Sequence, residues 1–255
     1  MGKKITEVIG LIPAAGKGLR LGLPYPKELY PIIQKNRYKP VSEFILDHFT
    51  KTGVRHTVFV INETKHQLIG YFGSGQRFGC EISYVYQEQF VAGSINSTSP
   101  GLAHALNSAY HLIKEKVVIF GMADTIILPD DGIQNLYKNF INSDSDITLG
   151  LFSTDFPQKF GMVVCNERNI VSEIIDKPIT TELVFMWGCM VWNPRFSEFL
   201  RFQVTKGEID FAQILNNSIA SGLKVCGYVV PFGKYYDLGT YEEIMQIDQL
   251  IKLHD

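Results

Sequence analysis

Short apolar runs, each closed by turn residues, set the rhythm of the first half of the chain. Residues 8–12 read as a buried strand that leads into Pro13-Ala14-Ala15-Gly16-Lys17-Gly18. Residues 41–51 place Val41, Phe44, Ile45 and Phe49 near helical spacing, with Gly53 beyond them as a C-cap. A second apolar run covers 57–61, and a short helix over 65–72 is closed by Gly73. Residues 82–86 alternate as a strand does, 102–113 have a helical period, and the β-branched run 117–120 stops at Gly121. Strands and helices in alternation predict an α/β protein, with a mostly parallel sheet and helices on both faces. Ligands of such sheets gather at the carboxyl ends of the strands, where the Gly16 and Asp124 loops both fall.

After about residue 146 the pattern changes. Residues 147–152, 162–165, 170–175 and 184–192 read as strands with few helices between them, a smaller mixed or antiparallel extension. Helices return over 208–221, closed by Gly222, and over 241–252. No repeat or long linker intervenes, so the expectation is one domain over 1–255, with a nucleotide-binding half (1–145) and a substrate-facing half (146–255).

Composition narrows the function. Lys and Arg number 24 against 26 Asp and Glu, a formal charge of −2, which lacks the basic excess of a nucleic-acid binder. Cys80, Cys165, Cys189 and Cys226 are far apart, with no C-x-x-C pair, so free thiols in a reducing cytoplasm are expected. Glu7 interrupts the first apolar run, which argues against a signal peptide, and no stretch of 18 apolar residues predicts a membrane span. The expectation is a soluble cytoplasmic protein, with self-association carried as a further expectation.

The candidate chemistry is spread along the chain. Gly16 and Gly18 follow a buried strand, where glycines let a backbone approach a phosphate; Arg20 and Lys27 would add positive charge. The same glycines could simply make a turn. Position 21 is Leu, so no dinucleotide fingerprint is present, and the P-loop pattern is absent as well. Asp124, just past an apolar run, could hold Mg2+ against a triphosphate or cap a turn. Asp237 precedes Gly239 and Thr240, the latter a natural N-cap. Gly161 and the Asp176-Lys177-Pro178 turn lie between them. Gln87 ends a strand, where a glutamine could serve only the fold, and Gly101 follows a polar loop over 88–100 that could act as a lid. Trp187 and Gly188 could line a sugar site, though a core tryptophan is the commoner case. The histidines have no metal-ligand spacing, and G-x-S-x-G is missing.

Taken together in order, these segments resemble the sugar-1-phosphate nucleotidyltransferase family. Pro13-Ala14-Ala15-Gly16-Lys17-Gly18-Leu19-Arg20, followed by Pro26-Lys27, is similar to that family's A-[AG]-G-x-G-[ST]-R-[LM] … P-K signature, with Leu19 in place of the usual hydroxyl residue. Asp124 resembles the family's first metal-binding carboxylate, and Tyr236-Asp237-Leu238-Gly239-Thr240 resembles the segment that carries the second. Phe160-Gly161 and Asp176-Lys177-Pro178 stand where the family has Y-G and E-K-P.

The resemblance implies a Rossmann-like fold of the GT-A type and a Mg2+-dependent reaction between a pyrimidine nucleoside triphosphate (UTP, dTTP or CTP) and a sugar 1-phosphate or similar small phosphate. It implies catalytic roles for Arg20 and Lys27 and nucleotide contacts from Ala14, Ala15, Gly16, Gly18, Gln87 and Gly101. The acceptor phosphate would meet Gly161, Asp176 and Lys177, and the metal Asp124 and Asp237. Two alternatives stand beside it. One is a catalytically silent relative that binds nucleotide sugar and regulates a partner. The other, a metal-dependent glycosyltransferase, would want a D-x-D pair that Asp124-Thr125-Ile126 does not supply.

Overall fold

A computed structural model describes residues 7–18, 21–34, 37–88, 101–245 and 247. The first half holds β1 (Val8–Pro13), β2 (Pro31–Gln34), β3 (Arg37–Pro40), α1 (Val41–Lys51), β4 (His56–Ile61), α2 (His66–Phe72) and β5 (Glu81–Tyr86). It continues through α3 (Leu102–Ser108), α4 (Tyr110–Ile113), β6 (Val117–Gly121), β7 (Thr125–Leu128) and α5 (Gly132–Asn142). The second half adds β8 (Ile147–Ser153), β9 (Gly161–Cys165), β10 (Val171–Asp176), β11 (Phe185–Trp192), α6 (Pro194–Thr205), α7 (Phe211–Ala220), β12 (Val225–Val229) and β13 (Lys234–Asp237).

β1 lies between β4 and β6, parallel to both, and β5 extends the parallel edge beyond β4. The chain thus moves outward from β1 to one side and returns through β6 on the other. That reversal makes a topological switch point, and a crevice opens there at the carboxyl ends of β1 and β6. β11 joins β6 in antiparallel fashion, β8, β9 and β10 follow in antiparallel pairs, and β12 lies parallel to β8, so the expected mixed or antiparallel extension is mixed.

The alternating sides of the strands feed two apolar layers. Ile9, Leu11, Val58, Val60, Val118 and Phe120 face α3, α6 and α7. Ile12, Phe59, Ile61, Val117 and Ile119 face α1, α2 and α5. Burial on both faces explains why these strands read as continuous apolar runs.

Several sequence-based expectations need correction. The helix predicted over 102–113 is two short helices that part at Ala109. The helix predicted from 208 starts at Phe211, because the Asp210 carboxylate accepts the Gln213 N–H at 3.1 Å and fixes the N-cap there. α6 has no counterpart in the sequence reading. Asn193 caps it by accepting the Arg195 N–H at 3.0 Å, and Phe196, Leu200 and Val204 form its buried stripe; Phe199 and Phe202 on the same helix blur that period. The helix predicted over 241–252 begins at Tyr241, and most of its second half lies outside the described residues.

His48 on α1 is buried, with Nε2 3.0 Å from the Ile127 carbonyl oxygen. Burial pushes its imidazole below the ordinary value, although that carbonyl opposes the shift. An unfolded histidine titrates near about 6.5, so the chain gains stability from neutral His48 above that pH and loses it as the pH falls toward the lowered folded value. The denaturation midpoint should therefore decline between about pH 7.5 and 5.5, and His48→Gln should flatten that decline. Equal slopes in both proteins would refute the assignment.

Candidate active site

The glycine-containing loop leaves β1 with Ala14 hydrogen-bonded through its N–H to the Val60 carbonyl at 2.7 Å. Asn62, buried at the end of β4, donates Nδ2 to the Ala15 carbonyl at 2.5 Å, so the loop is anchored from the neighbouring strand. Gly18 takes φ 63°, a left-handed conformation that side chains resist. Beside it lies a pocket of about 330 Å3 lined by Lys17, Gly18, Lys27, Lys65 and His66. Three lysines line this one small cavity, Lys27 paired with Asp124 and Lys65 with Glu28. Arg20 lies outside the described residues.

Lys65 is the residue that sequence reasoning missed. Its sequence context marks only the start of a helix, yet its side chain is 2% exposed and its ammonium donates to both Glu28 oxygens at 2.9 and 2.8 Å. Burial pushes the Glu28 carboxyl up, while Lys65 opposes the shift. A signal existed in Asn62-Glu63-Thr64-Lys65, a polar run directly after an apolar strand, at the end where ligands gather.

Lys27 reaches from this pocket to the acidic pair. Its ammonium donates to Asp124 Oδ2, and both side chains are 13% exposed. Burial alone would lower the Lys27 pKa, but the carboxylates of Asp124, Glu28 and Asp237 outweigh it, and the net shift is upward. Asp237 arrives from far along the chain. β13 pairs antiparallel with β7, setting Asp237 opposite Thr125, and the Leu238 N–H donates to the Asp124 carbonyl at 3.0 Å. This two-stranded ribbon carries both carboxylates to Lys27. Thr240 Oγ1 accepts the Glu243 N–H at 3.3 Å and Glu243 accepts the Gly239 N–H at 3.0 Å, a reciprocal cap that fixes the turn after Asp237.

On the other side of the acidic pair is a cleft of about 500 Å3 that includes Gly161, Asp176, Lys177, Trp187 and Tyr235. Asn216 on α7 clamps β10 by bonding both the N–H and the carbonyl of Ile174 at 2.8 Å, which sets the strand that ends in Asp176. Lys177 adopts φ 47°, an uncommon conformation for this residue type, held by its N–H on the Phe160 carbonyl at 2.9 Å. Tyr235 forms a wall between this cleft and the acidic pair. Burial and the nearby Asp237 and Asp124 push its phenol well above the ordinary value.

Gln87 lies at the end of β5, its N–H donating to the Ile61 carbonyl at 2.7 Å. It is buried, and its Nε2 finds no hydrogen-bond partner among the described residues. Gly101 is the N-cap of α3, near the Ile209 backbone at the rim of the 500 Å3 cleft. Most of the 88–100 loop between these two residues lies outside the described residues.

Fold and site together define a class, an α/β protein with its crevice at the switch point of a parallel sheet. More particularly, the chain belongs to the nucleotidyl transferase family, whose profile matches residues 9–252. It is 24% identical over 251 residues to the low-salt glycan biosynthesis nucleotidyltransferase of Haloferax volcanii, covering 95% of this chain and 65% of that protein. It is 28% identical over 237 residues to the UTP–glucose-1-phosphate uridylyltransferase of Synechocystis sp., covering 90% of this chain and 52% of that protein. The chain therefore spans between half and two thirds of the length of these relatives. A crystal structure of UDP-glucose pyrophosphorylase complexed with UDP-glucose superposes with a TM-score of 0.79 at 20% identity, covering 98% of this chain and 100% of that one.

Proposed function

We propose that the chain transfers a nucleotidyl group from a pyrimidine nucleoside triphosphate to a sugar 1-phosphate, or a similar small phosphate, and releases pyrophosphate. One observation carries the reading: Lys27, Asp124 and Asp237 converge between a lysine-lined pocket and a cleft that presents Lys177. The triphosphate tail lies against Gly18, Lys17 and Lys65. An oxygen of the acceptor phosphate attacks the α-phosphorus and the bond to pyrophosphate breaks, the leaving charge being met by Lys27 and, as the family resemblance implies, by Arg20. The attacking group is already an anion at neutral pH, so no general base is required. The barrier lies in bringing anions together, and positioned positive charge lowers it.

Asp124 and Asp237 fit Mg2+, which is held by one or two carboxylates and completes its shell with phosphate oxygens and water. When bound, the metal supplies charge that offsets the phosphates. Lys177 holds the acceptor phosphate, Asp176 and Gly161 meet the sugar, and Gln87 reads the base by its unpartnered amide. The nine-stranded sheet runs through both halves, which supports reading them as one catalytic unit.

The test is direct. The purified protein with Mg2+ is offered each of the common nucleoside triphosphates with a panel of sugar phosphates, and pyrophosphate is measured. Turnover with a pyrimidine nucleotide is expected. Ligand-induced thermal stabilisation without turnover for any pair would instead indicate a silent nucleotide-sugar binder.

A further inference from the structure

We propose that Tyr241 is a positioning residue for the triphosphate: its hydroxyl fixes the far end of the glycine-containing loop to the turn that follows Asp237. This rests on reading the lysine-lined pocket of about 330 Å3 as the triphosphate site. The near end of that loop is held from β4, by the Val60 carbonyl and the Asn62 amide. The far end, at Leu21 and Gly22, is held from the other end of the chain.

Leu21 is buried, but in neither of the two layers that flank the sheet. It packs in a smaller apolar cluster with Ile32, Phe44, Ile126, Leu238 and Ile244. Leu238 directly follows Asp237, and Ile244 lies three residues beyond Tyr241. Apolar contact sets the depth of Leu21 but is not directional, so it leaves the rotation of the peptide undetermined. Gly18 and Gly22, on either side, take φ 63° and 56°, and among the described residues nothing stands within 4 Å of a Cβ on Gly22. Glycine gives the backbone here more conformations to lose than any other residue would.

The missing direction comes from Tyr241, whose hydroxyl donates to the Leu21 carbonyl across 220 residues of chain. Because the peptide is planar, holding that carbonyl also orients the Gly22 N–H. The reciprocal cap of Thr240, Glu243 and Gly239 brackets Tyr241 in the chain, and Glu243 is tied in turn to Lys159 at 2.6 Å. Leu21 and Asp237 are therefore fixed to one short segment, the first through a side chain and the second through the backbone. Without the hydroxyl the empty loop samples more conformations, and the triphosphate must order it on binding, at a cost in affinity. Neither Leu21 nor Tyr241 lines the 500 Å3 cleft, so acceptor binding is spared.

The experiment uses Tyr241→Phe, which removes the hydroxyl and keeps the ring. Tyr241 is 53% exposed, so the melting temperature should stay within about 4 °C of the wild type. The KM for the triphosphate should rise about fivefold, the scale of one hydrogen bond, while the KM for the acceptor phosphate stays unchanged. Hydrogen exchange across residues 21–23 of the ligand-free protein should become faster. A purely structural contribution would instead lower the melting temperature further and move both KM values together. An unchanged triphosphate KM, a rise shared equally by both substrates, or unchanged exchange at 21–23 would overturn the proposal. If no pair yields pyrophosphate in the wild type, the transferase reading fails instead. Calorimetric titration of each nucleoside triphosphate with Mg2+ into both proteins then decides on Tyr241 alone: binding about fivefold weaker in Tyr241→Phe upholds the proposal, and equal binding, or none to either protein, rejects it.

Discussion

Lys65→Met is expected to lower folding stability by about 3–5 kcal/mol, the loss typical when one member of a buried ion pair is removed. The pair is unusual for how thoroughly it is enclosed, with side chains 2% and 3% exposed and both Glu28 oxygens bonded to one ammonium. Removing the lysine leaves a carboxyl that burial already pushes toward its neutral form, with no cation to oppose that push. Part of the loss will be recovered by protonation of Glu28, so the defect should shrink as the pH is lowered. For a domain of this size each kcal/mol moves Tm by about 2–4 °C, which makes the effect easy to read in a thermal or denaturant melt. The double variant Lys65→Met/Glu28→Leu should regain much of the stability, because a matched apolar pair removes the stranded charge. A single variant that melts with the wild type would show that the pair contributes nothing. The contact also ties stability to the site: Glu28 follows Lys27 in the chain, and Lys65 Nζ would be 3.9 Å from a Cβ on Gly18. The lysine-lined pocket is thus braced by a lysine that is also part of its lining.

How far the sequence foretold this arrangement depends on whether the signal is local. The strand ends that carry Gly16 and Asp124 were legible because β1 and β6 are buried on both faces and so stand out as apolar runs. The meeting of Asp124 with Asp237 was not legible from spacing, since it depends on β13 pairing with β7 across more than a hundred residues of chain; only the resemblance of the segment around Asp237 suggested it. Lys65 was illegible for a different reason. A lysine after Asn, Glu and Thr has the composition of a solvated turn, and its burial follows from Glu28, whose own burial depends on where the 27–29 turn lands. Trp187 fell between the two cases. Its type in an apolar run is suggestive, but an extended run gives no sign of the register shift that follows it.

Lys27→Ala and Asp124→Asn are each expected to reduce kcat/KM by about 10²-fold or more, equivalent to roughly 3 kcal/mol of transition-state stabilisation. The argument is electrostatic. Lys27 is the cation that stands between the lysine pocket and the acidic pair, and the surrounding carboxylates hold its pKa above the ordinary value, so it stays charged throughout the neutral range. Replacing it by alanine leaves Asp124 and Asp237 facing incoming phosphates with less opposing charge, which penalises the approach of both substrates and the departure of pyrophosphate. Asp124→Asn has the opposite local effect and the same functional one, because under the proposed function Mg2+ would lose a charged oxygen and Lys27 loses its nearest anion. The two losses should not add in the double variant, since both residues act on one charge cluster. Pyrophosphate release separates the outcomes, with circular dichroism to confirm that each variant is folded. Near-normal turnover by either folded single variant would remove Lys27 and Asp124 from the chemistry and return the lysine pocket to a binding role alone.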